Sequence, residues 1–160
     1  MTEFLLSVHV LVAIVTVGSI TVAASMFPRV ALRACGGGER EDGPSGGTGT
    51  AVVLHRVCAG YAVAGVVVPV FGVATGAQLG VLTDAWLIVS MALTTLAAAV
   101  LGLAVLPGQR RLLALAEGAA PEEEARPVAS RLAMLTGVFN LLWAVVVVLM
   151  IVRPGSTTGV

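Results

Sequence analysis

The chain has 160 residues, of which 58% are hydrophobic and 11% charged, and its formal net charge is zero. Ordinary soluble domains carry about a quarter charged residues, so this composition excludes an ordinary soluble domain. The neutral balance, without a clustered Lys/Arg surface, also argues against a nucleic-acid partner. The two cysteines, Cys35 and Cys58, are too few for a disulfide framework.

Long apolar segments at four places in the chain predict four membrane-spanning helices. Each has about the 20 residues needed to cross some 30 Å of hydrocarbon, and a helix satisfies its own backbone hydrogen bonds in lipid. The predicted spans cover residues 4–27, 57–79, 85–106 and 132–152. We therefore predict an all-α integral membrane four-helix bundle in which residues 1–160 form a single transmembrane domain.

The first span contains His9 in the otherwise apolar stretch LLSVHVLVAIVTVGS. An ionisable side chain inside a membrane is a functional candidate by default, and imidazole can hold haem or a metal or relay a proton. A neutral imidazole that hydrogen-bonds across the bundle accounts for the residue equally well. His55 lies at the other end of its span, about 20 Å away in depth, so the two histidines are not expected to share one haem.

A haem at His9 needs a second ligand at the same depth, and two methionines are candidates. Met91 in the third span is at about the right level, and Met150 in the fourth is slightly shallower. His/Met pairs hold haem in electron-transfer proteins. Both methionines are equally compatible with a role as core filler.

The remaining features along the chain predict a flexible loop and helix packing. Residues 35–50 are rich in Gly and Ser and predict a flexible linker; they lack the pattern of a phosphate-binding loop. Pro69 should kink the second span, since it cannot donate to the carbonyl of Gly65. Small and polar residues recur at helical spacing and predict close helix approach: Gly65, Gly72, Gly76, Ser90, Thr94, Gly102 and Asn140. Asn140 needs a partner on a neighbouring helix.

Arginine placement predicts the orientation of the bundle. Arg29, Arg33, Arg40 and Arg56 flank the first loop, and the third loop is similarly basic, whereas the second loop has no Lys or Arg. By the positive-inside rule, loops one and three are cytoplasmic and both termini face out. The predicted location is the cytoplasmic (inner) membrane, with multiple spans.

Several short motifs resemble a group of small uncharacterised four-span bacterial membrane proteins related to the HemJ-type protoporphyrinogen oxidases and the CopD-like copper-resistance membrane proteins. They are VHVLVAIVTVGS and FPRVALR in the first helix, then HRV, GVATG, AWLIVSMAL and VRPG. In HemJ-type members a first-helix histidine is important for haem b and activity, and the resemblance implies that role for His9. Those proteins usually place a lysine a few residues after the third-helix tryptophan; here Ser90 stands at that distance from Trp86.

Three functions follow as hypotheses. We favour a non-enzymatic accessory or interaction subunit, because the small-residue stripes suit a homo-oligomer or a larger membrane complex and no catalytic constellation is present. The second is a haem-b-binding redox protein or HemJ-like oxidase with His9 as axial ligand and Met91 as its partner. The third is a copper-handling membrane protein that uses His9 with Met91 and Met150.

Overall fold

The computed structural model describes residues 2–35 and 46–155, with side chains from residue 3 to 35 and from 47 to 155. It contains no strand in these two ranges, in agreement with the predicted all-α class. Its helices are α1 (Thr2–Cys35), α2 (Gly46–Ala64), α3 (Val67–Leu79), α4 (Ala85–Val100), a π-helical segment (Leu101–Val105), α5 (Leu106–Glu117) and α6 (Glu122–Val152).

These helices form four long rods, each apolar enough over part of its length to cross a membrane. The rods are Glu3–Cys35, Gly47–Leu79, Ala85–Glu117 and Glu122–Val152. The first three have 33 residues and the fourth 31, or about 50 Å at 1.5 Å per residue. We call the end that carries the first and third loops the loop-one end, and the end where the first rod begins and the fourth finishes the termini end.

The rods are longer than the predicted spans, mainly at the loop-one end. Cys35 ends α1 and residues 46–50 already belong to α2, so the predicted flexible loop over residues 35–50 overlaps both helices at its edges. Residues 36–45 lie outside the described residues. The third rod ends at Glu117, and Gly118 is the C-cap of α5.

The predicted kink near Pro69 takes the form of a break between α2 and α3. The N–H of Val66 donates to the carbonyl of Val63 and the N–H of Val68 to that of Gly65, both at 3.2 Å. These are tight bonds over three residues, and they replace the four-residue bonds that a continuous helix would make. The second rod is therefore interrupted three residues before the proline that cannot donate.

The π-helical segment sets which residues of the third rod face the bundle. A π turn holds one residue more than an α turn, and each residue rotates a helix by about 100°. An uninterrupted α-helix continuing from Ala97 would place Leu115 in line with it and would turn Leu113 about 160° away. In the structure Leu113 is buried and Leu115 is only partly buried. The irregular turn precedes Pro107, which has no N–H to donate in an α-helical ladder.

The best-packed part of the molecule is its loop-one half. The fully buried side chains there come from all four rods, including Phe27, Ala51, Leu112 and Leu132. Towards the termini end α3 packs on α1 and α4 packs on α6, whereas α3 and α4 contact each other only slightly. α3 and α4 are therefore separated from each other over most of their length, which leaves space between them.

Candidate functional site

His9 links α1 to α3 through a hydrogen bond to the backbone. Its Nδ1 lies 3.0 Å from the carbonyl oxygen of Val68. Because a carbonyl can only accept, Nδ1 carries the proton and donates it. The ring lies against Gly72, where a Cβ would come within 3.1 Å of Cε1. The absence of a side chain at Gly72 thus makes room for the imidazole, and the bond fixes its orientation.

A cavity of about 40 Å³ lies beside His9 at the termini end. We call it the outer cavity. All four rods contribute to it, with Met150 and Arg153 from the fourth rod. Met91 does not line the outer cavity, and 42% of its surface is exposed. The structure therefore brings His9 together with Met150 but not with Met91.

Arg153 and Trp86 line the outer cavity, and Asp84 binds to Trp86 from outside it. The guanidinium of Arg153 lies 5.6 Å from the centre of the Trp86 ring, a cation–π distance. Arg153 Nε donates to the Met150 carbonyl at 3.3 Å, and Trp86 Nε1 donates to the Asp84 carboxylate at 3.0 Å. Arg153 has a φ of 44°, an uncommon conformation for a side chain other than glycine, so these contacts hold a strained residue in place.

A second cavity, of about 130 Å³, lies deeper between the rods. We call it the deep cavity. It is almost entirely apolar, and its walls include Thr16 of α1, Pro69 of α3, Thr94 of α4 and Phe139 of α6. Two backbone irregularities also line it: the break at Gly65 and Val66, and Leu101 at the start of the π-helical segment.

The surroundings of His9 do not fit a haem. A bond from Nδ1 to a carbonyl is the usual support for a ligating histidine and leaves Nε2 for the iron. However, pockets for drug-sized ligands have volumes of about 300–1,000 Å³, and the outer cavity has about 40 Å³. The described residues thus orient the imidazole but provide no space for a porphyrin beside it.

The same surroundings do not fit a copper ion either. Soft ligands such as methionine select Cu(I), and Met150 shares the outer cavity with His9. The guanidinium of Arg153 lines that cavity too, and its positive charge opposes a bound cation. Across the described ranges, no group of three His, Cys, Asp or Glu side chains could hold a metal ion.

The other residues predicted from small-residue spacing occupy different environments. At Gly65 and Gly76 a Cβ would meet a neighbour at 3.2 Å and 3.0 Å, whereas at Gly102 nothing lies within 4 Å. The hydroxyls of Ser90 and Thr94 donate to carbonyls of their own helix, those of Trp86 and Ser90. At Gly65 that neighbour is the Tyr61 carbonyl of the same rod, and the nearest atom of another rod is Thr16 Cγ2 at 3.4 Å, an ordinary contact. Gly76 is therefore a close-approach position, and Gly102 is on the outside of the bundle.

The prediction that Asn140 finds a partner on a neighbouring helix is confirmed. Its Nδ2 donates to the Ser25 hydroxyl of α1 at 3.3 Å. Its Oδ1 is buried and has no hydrogen-bond partner among the described residues. Asn140 therefore ties α6 to α1 with half of its amide.

Sequence reasoning missed a buried polar group at the loop-one end. Gln109 is completely buried. Its Oε1 lies 2.8 Å from His55 Nδ1, and its Nε2 donates to Cys58 Sγ at 3.4 Å. His55 is thus bonded to a neighbouring rod. The sequence offered no signal for this, because a glutamine next to Arg110 and Arg111 has the composition of an exposed segment.

Cys35 is a buried thiol at the loop-one end. Burial, and to a lesser extent the carboxylate of Glu122, raises the pKa of this thiol above its usual value. Because the thiolate is the nucleophile, both effects make the side chain unreactive. Cys35 is therefore not a candidate for nucleophilic chemistry.

No family model, curated protein or solved structure matches the chain. The resemblance to the HemJ-type and CopD-like proteins accordingly stays a prediction. The structure defines the class of this protein as a helical bundle with four rods long and apolar enough to span a membrane.

Proposed function

We propose that the chain crosses the inner membrane four times, with the loop-one end in the cytoplasm. Each rod carries an exposed arginine at a similar level: Arg29, Arg56, Arg110 and Arg131. Between these residues and the termini end each rod runs for about 21–26 residues, or about 32–39 Å. That length matches the hydrocarbon core with part of its interface, and clustered arginines favour the cytoplasmic side.

Cysteine labelling in spheroplasts tests this orientation. In a variant with Cys35→Ala and Cys58→Ala, a single cysteine is placed at Thr83 or at Glu117, both of which are exposed. We expect a membrane-impermeant maleimide to label Thr83→Cys in intact spheroplasts and Glu117→Cys only after lysis. The opposite pattern would invert the topology, and labelling of both before lysis would contradict membrane insertion.

Within this membrane placement, the function that we propose is that of a non-enzymatic interaction subunit which associates with a second copy through α6. The observation that supports it is a polar pair on the lipid-facing surface. The Ser25–Asn140 bond is exposed, about 12 residues, or 18 Å, from the end of α6. Polar side chains in hydrocarbon form hydrogen bonds between helices, each worth about 0.6–2 kcal/mol.

The surface around this pair allows a second helix to approach closely. Ala133 and Gly137 are exposed four residues apart on α6, and nothing lies within 4 Å of a Cβ at Gly137. This is the small-xxx-small spacing that brings backbones together in membranes. The polar Ser25–Asn140 pair beside the open surface at Gly137 therefore favours contact of this face with a second helix over contact with lipid.

Energy transfer between donor- and acceptor-labelled copies in lipid vesicles tests the association. We expect saturable energy transfer for the wild type. Gly137→Leu should lower the association constant about tenfold or more, because lost close packing and a lost hydrogen bond together cost about 1.4 kcal/mol. The matched control is Gly60→Leu, because Gly60 is also exposed with nothing within 4 Å. A monomeric wild type, or equal losses in both variants, would overturn the proposal.

A further inference from the structure

The two cavities lie one behind the other along the same axis of the bundle. On α1, His9 lines the outer cavity and Thr16 lines the deep cavity. On α6, Met150 lines the outer cavity and Trp143 lines the deep cavity. Seven residues separate the members of each pair, which corresponds to about 10 Å along a helix. The cavities therefore form a chamber that contains His9 and Arg153 near the termini end, followed by an apolar chamber near the middle of the rods.

The deep cavity has the size and lining of a site for a short part of a hydrocarbon chain. Its volume of about 130 Å³ is close to that of an apolar cavity of about 150 Å³ that stays dry and binds benzene. Irregular backbone at membrane depth is tolerated only where it is buried or lines a cavity, and both irregular turns of this bundle line this one. The two helix interruptions thus have a common location.

The deep cavity opens sideways between α3 and α4. Val66 is 63% exposed and Ala98 is also exposed, and both line the cavity. α3 and α4 contact each other only slightly. In a membrane this opening faces lipid, so a chain can enter from the bilayer without passing through water.

The outer cavity offers a cation to the head of such a molecule. Arg153 is held by Trp86 and by its own Nε bond, and within residues 3–35 and 47–155 its terminal NH2 groups have no ion-pair partner. The one ion pair among the described residues joins Arg126 to Glu122 at the other end of the bundle. The nearby carboxylate of Asp84 already accepts the Trp86 N–H. A fixed guanidinium with free donors is the group that binds carboxylate and phosphate best.

From this juxtaposition we infer that the bundle binds a single-chain amphiphile with an anionic head, the head on Arg153 and the chain in the deep cavity. The inference rests on the membrane insertion proposed above and is independent of self-association. Gly72 contributes by holding the His9 ring against the wall of the outer cavity, so that the space beside Arg153 stays open. No bond is made or broken: the activity is binding of a bilayer component.

Titration of the full-length protein in nanodiscs with a fluorescent C18 fatty acid tests the head contact. We expect saturable binding that Arg153→Gln weakens about 10- to 100-fold, the range for a lost charge-assisted hydrogen bond. Arg110→Gln, which removes an exposed arginine at the loop-one end, should leave the affinity unchanged. A C18 alcohol, which lacks the charge, should bind more weakly and be insensitive to Arg153→Gln.

Filling the opening tests the position of the chain. Ala98→Phe places a ring at the mouth of the deep cavity and should abolish saturable binding, and Val66→Trp should do so from the opposite side. Ala92→Phe is the matched control, since Ala92 is exposed on the same helix and lines neither cavity. Competition with lysophosphatidic acid distinguishes a phosphate head from a carboxylate. Non-saturable partitioning, or binding that survives both filling variants, would overturn the inference even if the labelling experiment confirms insertion.

Discussion

Replacement of Leu112 by alanine is expected to lower the free energy of unfolding by about 2–5 kcal/mol, the range for a buried leucine. Leu112 is completely buried and lies just beyond Arg110 and Arg111, where the proposed topology surrounds the rods with water. Its burial there is supported both by packing and by the hydrophobic effect. In the monomer, at high dilution in micelles, Leu141→Ala should change the stability by less than about 1 kcal/mol, because 67% of that side chain faces outward.

This comparison is made by SDS-induced unfolding in detergent micelles, followed by circular dichroism. Both substitutions exchange leucine for alanine within a helix, so differences in helix propensity largely cancel. A similar loss for both variants would contradict the conclusion that stability is concentrated in the loop-one half. A loss only in Leu141→Ala would place the critical packing on the outward face of α6 instead.

Replacement of Gly72 by leucine is expected to displace the His9 ring and to destabilise the protein by about 1–3 kcal/mol or more through overpacking. A Cβ alone would lie 3.1 Å from Cε1 and 3.5 Å from Nδ1 of His9. The ring cannot retreat without lengthening its 3.0 Å bond to the Val68 carbonyl. The cost therefore combines steric overlap with the loss of the bond that joins α1 to α3.

Two measurements separate these effects. SDS-induced unfolding gives the stability, and nitrogen-15 shifts of the His9 ring report whether Nδ1 still carries the proton. Gly18→Leu is the matched control, because Gly18 is exposed on α1 and nothing lies within 4 Å of a Cβ there. Unchanged shifts and stability in Gly72→Leu would show that His9 is not held against this glycine.

The apolar runs in the sequence predicted the four rods, but the lengths of the rods were established only by the structure. The parts of the rods at the loop-one end contain Arg, Glu and Ala. The apolar run therefore stops before these parts, although the helix continues through them. Those parts fold as helices because residues such as Leu112 and Leu132 pack between the rods, and packing of an apolar face supplies most helical stability. Hydropathy measures compatibility with lipid and not the extent of a helix.

The environment of His9 could also be predicted only in part from the sequence. Its presence in an apolar span identified it as a candidate, and the glycine at position 72 was predicted as a packing residue. Their mutual contact could not be predicted, because it depends on how the second rod breaks at Gly65 and Val66 and which backbone carbonyl then meets the ring. Met91 and Met150 lie at comparable sequence depth, yet only Met150 shares the outer cavity.

The sequence by itself determined the helical class and the number of rods, because the 20-residue length of an apolar run and the placement of arginines are local properties. The tertiary structure alone decided which side chains meet. One extra residue in the π-helical segment rotates Gln109 and Leu113 into the bundle, and a slight separation of α3 from α4 opens the deep cavity. Rotations of about 100° per residue and separations of a few ångströms arise from the packing of all four rods together, and no single segment encodes them.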